Sequence, residues 1–342
     1  MRFFQRGARR VWGLDFGAQI VRVAVAEVRS GVELNVLGVG ESSAQGFFDG
    51  SLESLSDGAE AIVSSLRKAE RQSGLRCETL FFNREDPTLE SHYSTGSKTL
   101  TGEGQIGSLD IHQVMQMALR MTGCFEKSAV YSCPIRFLVD GKDLMTNPLG
   151  VFGRQLDVTM HVLLASAETG ERWERLIQRC GLEQSHAVPS VRSTLYGVLS
   201  PEEYQKKILL WDLGRDYLHG AWTHEGSIQQ AIVLKANTLS EKEVGQVVLL
   251  NSADCVYEEM VLTGDLTENE SLVDQIRSQC QQPVLVKAPK GVGELHELGQ
   301  ASLAGLLRVA SEFHNNRSSS QLGESLFLDL RQKAVALIKD YF

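Results

Sequence analysis

Hydrophobic residues along this chain fall into short runs of strand type and longer stretches of helical spacing. Val11 to Phe16 is an apolar run that reaches the corner Asp15-Phe16-Gly17, and Ala18 to Val28 then carries hydrophobics at alternating positions. A strand, a glycine corner and a second strand make a hairpin signal. The pattern returns at Ile208 to Trp211, with the corner Asp212-Leu213-Gly214, a second run over Tyr217 to Trp222 and the turn His224-Glu225-Gly226. Two such units, each opening a long α/β segment, predict a duplicated α/β core with a cleft between its halves. Val32 to Val39 and Glu78 to Phe82 read as further strands. Between them Ser56 to Gln72 reads as a helix, with Ala59, Ile62, Val63, Leu66 and Ala69 on one face and Gly74 as its stop. Ser91 to Gly107 is polar and rich in Gly, Ser and Thr. Helices are expected from Leu109 to Leu119, from Glu171 to Cys180 and from Leu239 to Leu250. Strands are expected over Ser128 to Cys133, Arg136 to Val139, Gln155 to Ala165 and Asp254 to Thr263.

Composition narrows the classes of function. A chain of 342 residues can hold two domains with real cores, and 42% hydrophobic with 23% charged residues is ordinary for a globular protein. A net charge of −9 argues against a nucleic-acid partner, because phosphate contact needs clustered Lys and Arg. Six cysteines form no CxxC pair, which suits a reducing cytoplasm and no zinc site. No apolar run reaches the length of a spanning helix. Met1-Arg2-Phe3-Phe4, with Arg6, Arg9 and Arg10, lacks the apolar core of a signal peptide and reads as a solvated basic arm. His161, His186 and His219 are scattered and read as core or surface residues; no residue is read as a metal ligand. Glu202-Glu203 reads as a solvated turn.

The run Asn147-Pro148-Leu149-Gly150-Val151-Phe152-Gly153-Arg154-Gln155-Leu156-Asp157, followed by a strand through His161, is distinctive. Arg179-Cys180-Gly181-Leu182 and Tyr196-Gly197-Val198-Leu199-Ser200-Pro201-Glu202-Glu203 follow in order. These segments resemble the bacterial cell division protein FtsA. Gly104-Gln105-Ile106 upstream, and Val261-Leu262-Thr263-Gly264 and Pro283 to Gly293 downstream, extend the resemblance collinearly over nearly the whole chain. The pilus protein PilM is similar at the N-terminal arm but lacks the 147–203 signature.

The resemblance implies an α/β, actin-like fold (a ribonuclease H-like duplicated core) with an FtsA-type insert. Subdomain 1A would be 1–84 and 166–205, the inserted subdomain 1C 85–165, and subdomain 2A 206–312. FtsA proteins bind ATP in the cleft, polymerise through 1C, recruit the tubulin-like protein FtsZ through subdomain 2B and dock on the membrane by a C-terminal helix. The nucleotide cleft would fall on Asp15, Gly17, Asp212, Gly214 and Gly264. Its loops have decayed. Ala18-Gln19-Ile20 replaces hydroxyl residues and a Lys; Gly214-Arg215-Asp216-Tyr217 replaces a Gly-Gly-Gly-Thr run; Thr263-Gly264-Asp265-Leu266 replaces a Gly-rich adenosine loop. Phosphate needs close backbone approach, which Gly permits and side chains crowd. Asp15 and Asp212 therefore read as structural caps of the two corners, with no catalytic role. One helix between Ala236-Asn237 and the strand ending at Thr263 leaves no room for 2B.

Residues 313–323 have a linker composition. From 324 to 342 the spacing predicts an amphipathic helix, with Phe327, Leu330, Leu337, Ile338 and Tyr341 as membrane-facing residues. The whole reads as a pseudo-ATPase scaffold, cytoplasmic and peripheral on the inner face of the cell membrane. It would self-associate through 1C and engage division or envelope-assembly proteins, with no cofactor; ATP and Mg²⁺ enter only if the degenerate cleft still binds them. A divergent ATP-binding FtsA and a PilM-like pilus or secretion adaptor are the alternatives.

Overall fold

The computed structural model describes residues 9–28, 33–48, 51–122 and 126–319. They form two compact units. The first comprises Met1–Pro87, Glu171–Gly226 and Val233–His314; the second is built on Thr88–Gly170 and Ser227–Ile232.

The first unit carries the duplication. β1 (Arg9–Phe16) and β2 (Ile20–Val28) form an antiparallel hairpin, and β3 (Leu34–Ser43) continues it on the β2 side. After the small hairpin β4 (Phe47–Phe48) and β5 (Ser51–Leu52) comes α1 (Leu55–Ser73); β6 (Thr79–Arg84) then runs parallel to β1. The sheet order is β11-β6-β1-β2-β3, where β11 is Gln184–Pro189. The second sheet repeats this plan. β12 (Ile208–Leu213) and β13 (Tyr217–His224) form the hairpin, β14 (Ser227–Lys235) lies beyond β13, and β15 (Glu259–Thr263) runs parallel to β12 with β16 (Val284–Val286) outside it. Each hairpin is central because its apolar strand is buried on both faces; Leu14, Leu210, Trp211 and Leu213 are all fully buried.

Helices cover the sheets. α1 places Ala59, Ile62, Leu66 and Ala69 in one core with Trp12, Leu14, Val23 and Leu80, joined by Trp173, Leu176 and Ile177 of α3 (Ala167–Arg179). α4 (Ser190–Val198) crosses α7 (Ala301–Ser319) at minimal distance. A Cβ on Gly305 would lie 1.6 Å from the Ser193 carbonyl, and one on Gly197 1.9 Å from that of Ala301. Only paired glycines allow that crossing, and it brings Ser193, Thr194 and Ser302 to the ends of the central strands. Between β14 and β15 the chain carries one helix, α5 (Glu241–Ser252), which starts at a capping box of Ser240 and Glu243. α6 (Glu270–Gln279) precedes β16.

The second unit is a sheet of order β7-β10-β8-β9 under one helix. The strands are β7 (Glu90–Gln105), β8 (Lys127–Val139), β9 (Lys142–Met145) and β10 (Phe152–Ser166). α2 (Ser108–Arg120) buries Ile111, Val114, Met115 and Ala118 against Leu156, Val158, Met160 and Val162. Tyr93, Leu109 and Phe152 remain 58%, 64% and 67% exposed.

Several expectations need correction. The segment left without an element, 91–107, is largely one sixteen-residue strand; its Ser, Thr and Gly residues are held by pairing with β10, a context that propensity does not carry. The two short strands around Pro134 are one strand whose register shifts there, as a proline in a ladder requires. The strand expected over Asp254 to Thr263 begins only at Glu259. The linker expected over 313–323 is helical through Ser319, because no Gly or Pro interrupts α7 there. Phe313 packs on the rings of Phe81 and His186, with centroids 5.4 and 4.5 Å away. Residues 320–323 and the expected membrane helix 324–342, with Phe327, Leu330, Leu337, Ile338 and Tyr341, lie outside the described residues.

Candidate functional site

Parallel strands in open α/β sheets end in loops that line ligand sites. In the first unit the ends of β1, β6, β12 and β15 supply Asp15, Glu85, Asp212 and Gly264 to one cleft. Gly17 and Gly214 line it as well, so the five residues expected from the sequence come together.

The two corners are tight. Gly17 N donates to Ile20 O at 2.9 Å and Gly214 N to Tyr217 O at 3.1 Å, so backbone closes each hairpin over two residues. Asp15 and Asp212 therefore do not cap these corners, contrary to the expectation from sequence. They face helices instead. Asp15 Oδ1 accepts from Asn83 Nδ2 and from Ser302 Oγ at 2.7 Å, while Ser193 Oγ donates to Asn83 Oδ1 at 2.6 Å. Asp212 Oδ2 accepts from Thr194 Oγ1 at 2.8 Å. Burial pushes the Asp15 carboxyl up to about 6 and raises that of Asp212. Gly264 is required by its backbone, at φ 92°, and by space: a Cβ there would sit 2.4 Å from Asp212 Oδ1.

A charge pair occupies the cleft. His219 Nε2 meets Glu85 Oε2 at 2.7 Å, with the two side chains only 8% and 11% exposed. Ser190 Oγ donates to the other Glu85 oxygen. Burial works against both charges. The Glu85 carboxylate outweighs it at His219 and raises that imidazole to about 9, while His219 and its hydrogen bond hold Glu85 below the usual carboxylate range. The cleft leaves about 90 Å³ free. That admits a few waters, against roughly 300–1,000 Å³ for small-molecule pockets.

Sequence reasoning set His219 aside as scattered and passed over Glu85. A signal was available: Glu85 directly follows a strand of the parallel set, and His219 stands opposite Asp212 in the hairpin register. Of the other two histidines, His161 is a core residue and His186 is half-buried. His161, fully buried, faces Ser91 Oγ at 3.0 Å and is lowered to about 4 by burial; His186 packs at a tilt on the rings of Phe81 and Phe313. Glu203 is more than a solvated turn, since its carboxylate accepts from Lys287 Nζ at 3.0 Å.

Comparison with known proteins follows the same lines. A family model described as the SHS2 domain inserted in FtsA matches residues 87–164. Cell division protein FtsA of Borreliella burgdorferi is 26% identical over 204 residues, covering 59% of this chain and 49% of that protein. FtsA of Pseudomonas aeruginosa is 23% identical over 67% of this chain and 55% of its own length. FtsA of Streptococcus pneumoniae is 24% identical over 88% of this chain and 72% of its own length. The chain thus spans about half the length of the first two relatives. Among solved structures, the PilM-PilN type IV pilus biogenesis complex superposes with a TM-score of 0.57 at 13% identity, covering 96% of this chain and 99% of that one. The ethanolamine utilization protein EutJ of Carboxydothermus hydrogenoformans gives 0.50 at 10% identity, over 89% and 90%. A duplicated hairpin sheet, an SHS2 match over residues 87–164 and similarity to an FtsA over 88% of the chain agree: the chain is an FtsA-like protein of actin-like fold.

Proposed function

We propose that this protein is a non-catalytic scaffold in cell division or envelope assembly, a pseudo-ATPase that acts on the inner face of the cell membrane. One observation carries the reading: the Glu85–His219 pair and the side chains of Arg215, Asp216 and Tyr217 line a cleft with about 90 Å³ free. Phosphate binding would need open backbone amides there. Fluorescent ATP with Mg²⁺ is expected to show no saturable binding. Micromolar binding that is lost in Asp212→Ala would overturn the reading and favour a divergent ATPase.

The insert supports a scaffold role by self-association. Leu109 and Phe152 are exposed on the second unit and are the residues to which we assign the contact. Replacing both by Ser is expected to abolish concentration-dependent association in sedimentation velocity. The single helix between β14 and β15 stands where FtsA proteins carry 2B, so capture of the FtsZ tail is not expected. Membrane docking is assigned to 324–342; removing 325–342 is expected to abolish sedimentation with liposomes.

A second reading is a pilus or secretion adaptor. It is favoured by the near-complete mutual coverage with the PilM chain of a PilM-PilN complex, 96% and 99%. Pull-down with cytoplasmic tails of envelope proteins separates the two: stoichiometric capture of one short tail selects the adaptor.

A further inference from the structure

In each central hairpin of the first unit a cation stands directly across from the aspartate, Arg22 opposite Asp15 and His219 opposite Asp212. The two cations go different ways. Arg22 Nε turns outward to Glu41 Oε1 at 2.7 Å, a pair whose carboxylate is 47% exposed. His219 turns inward and crosses to Glu85, at the end of a strand of the other sheet. Among the described residues the other hydrogen-bond partners of the cleft carboxyls are neutral: Asn83 and Ser302 for Asp15, Thr194 for Asp212, Ser190 for Glu85. Arg215 also lines the cleft but is exposed on the turn, and Asp216 and Asp265 add further negative charge.

We infer that His219 and Glu85 form an internal latch that holds the two sheets of the first unit together across the cleft with no bound nucleotide, and that the latch opens when the imidazole loses its proton. In nucleotide-binding clefts of this kind, a bound molecule makes contacts to both halves. Here a side chain of β13 reaches the end of β6 instead, and its hydrogen-bonded charge pair is largely removed from water. Such a pair resists salt and holds as long as both partners keep their charges. The acidic groups facing His219 are Glu85, Asp212 and Asp15, and each favours the protonated imidazole; the Tyr217 ring lies 6.3 Å from it. Raising the pH removes that proton and leaves Glu85 buried without its cation.

This inference rests on the non-catalytic reading of the same cleft, and the two can fail separately. The test is a double-mutant cycle with His219→Gln, Glu85→Gln and the double variant, read by urea denaturation and by hydrogen exchange of the amides in β12–β13 and β1–β2. At neutral pH the single variants are expected to lose protection in both hairpins, and the double variant to lose little more than either. Above a pH of about 9 the wild type is expected to approach His219→Gln. Where a variant does not fold, the wild-type imidazole resonance of His219 gives the answer: a midpoint near 9 supports the latch, and one near the ordinary 6.5 overturns it. Additive single-variant effects, or exchange in the hairpins that ignores pH from neutral to above 9, would also overturn it. Saturable ATP binding by the wild type, with the cycle intact, would overturn the non-catalytic reading and leave the latch in place.

Discussion

The two central hairpins share a plan and differ in the direction of one side chain. β1–β2 and β12–β13 both end in Asp-x-Gly, close over two residues by a backbone bond, and set a cation opposite the aspartate. In the first hairpin the cation serves its own sheet, since Arg22 pairs with Glu41 of the adjacent β3. In the second it spans two sheets, since His219 pairs with Glu85 after β6. Register fixes where a charge stands in a hairpin; the neighbouring strand ends decide what it does. The outward pair is exposed and worth little, whereas the inward pair is desolvated and fails badly if broken.

The largest expected effect comes from removing the inward carboxylate. Glu85→Ala leaves a buried imidazole without its partner and is expected to cost about 3–5 kcal/mol in chemical denaturation. An effect under about 1 kcal/mol would place the two hairpin cations on the same footing.

Alkali acts on the same pair. The His219 value is raised from an ordinary 6.5 to about 9, so its contribution is fully present below about 6.5 and is lost as pH rises through about 9. The loss is on the order of 3 kcal/mol by linkage. Asp15, raised from 3.8 to about 6, likewise favours folding at low pH and stops doing so as pH rises through about 6. Glu85 is lowered and so works the other way, favouring folding above its ordinary 4.5 and losing that contribution on acidification. Stability is therefore expected to fall from neutral pH toward pH 10, and the fall to disappear in His219→Gln. A fall of equal size in that variant would remove His219 as its cause.

Gly264→Ala strains the cleft beside the second hairpin alone. With φ at 92° and a Cβ 2.4 Å from Asp212 Oδ1, it is expected to cost about 2 kcal/mol and to disturb β12–β13 before β1–β2 in hydrogen exchange. Equal disturbance of both hairpins would show the cleft to respond as one body.

The smallest effect belongs to the outward pair. Glu41→Gln is expected to cost no more than about 1 kcal/mol, and less in high salt, because the pair is solvent-screened. A salt-independent cost as large as that of Glu85→Ala would erase the contrast between the hairpins.

The sequence alone determined the hairpins, the helices with clear apolar faces and the order of segments. These follow from local periodicity and from glycine at corners, which short-range sterics enforce. It also brought Asp15, Gly17, Asp212 and Gly214 to notice through their repeated setting, and Gly264 through the resemblance to FtsA. It failed where partners far along the chain decide the outcome. The polar stretch 91–105 becomes a strand only because β10 offers it a ladder. Residues 313–319 remain helical as the end of α7, whose Phe313 has Phe81 and His186 to pack on. Asp15 and Asp212 bond to α7 and α4 and leave their own corners to backbone. Glu85 and His219 are 134 residues apart, and nothing local to either announces the other. Tertiary structure paired them, because a charge taken out of water must find its opposite within a few ångströms, wherever in the chain that opposite lies.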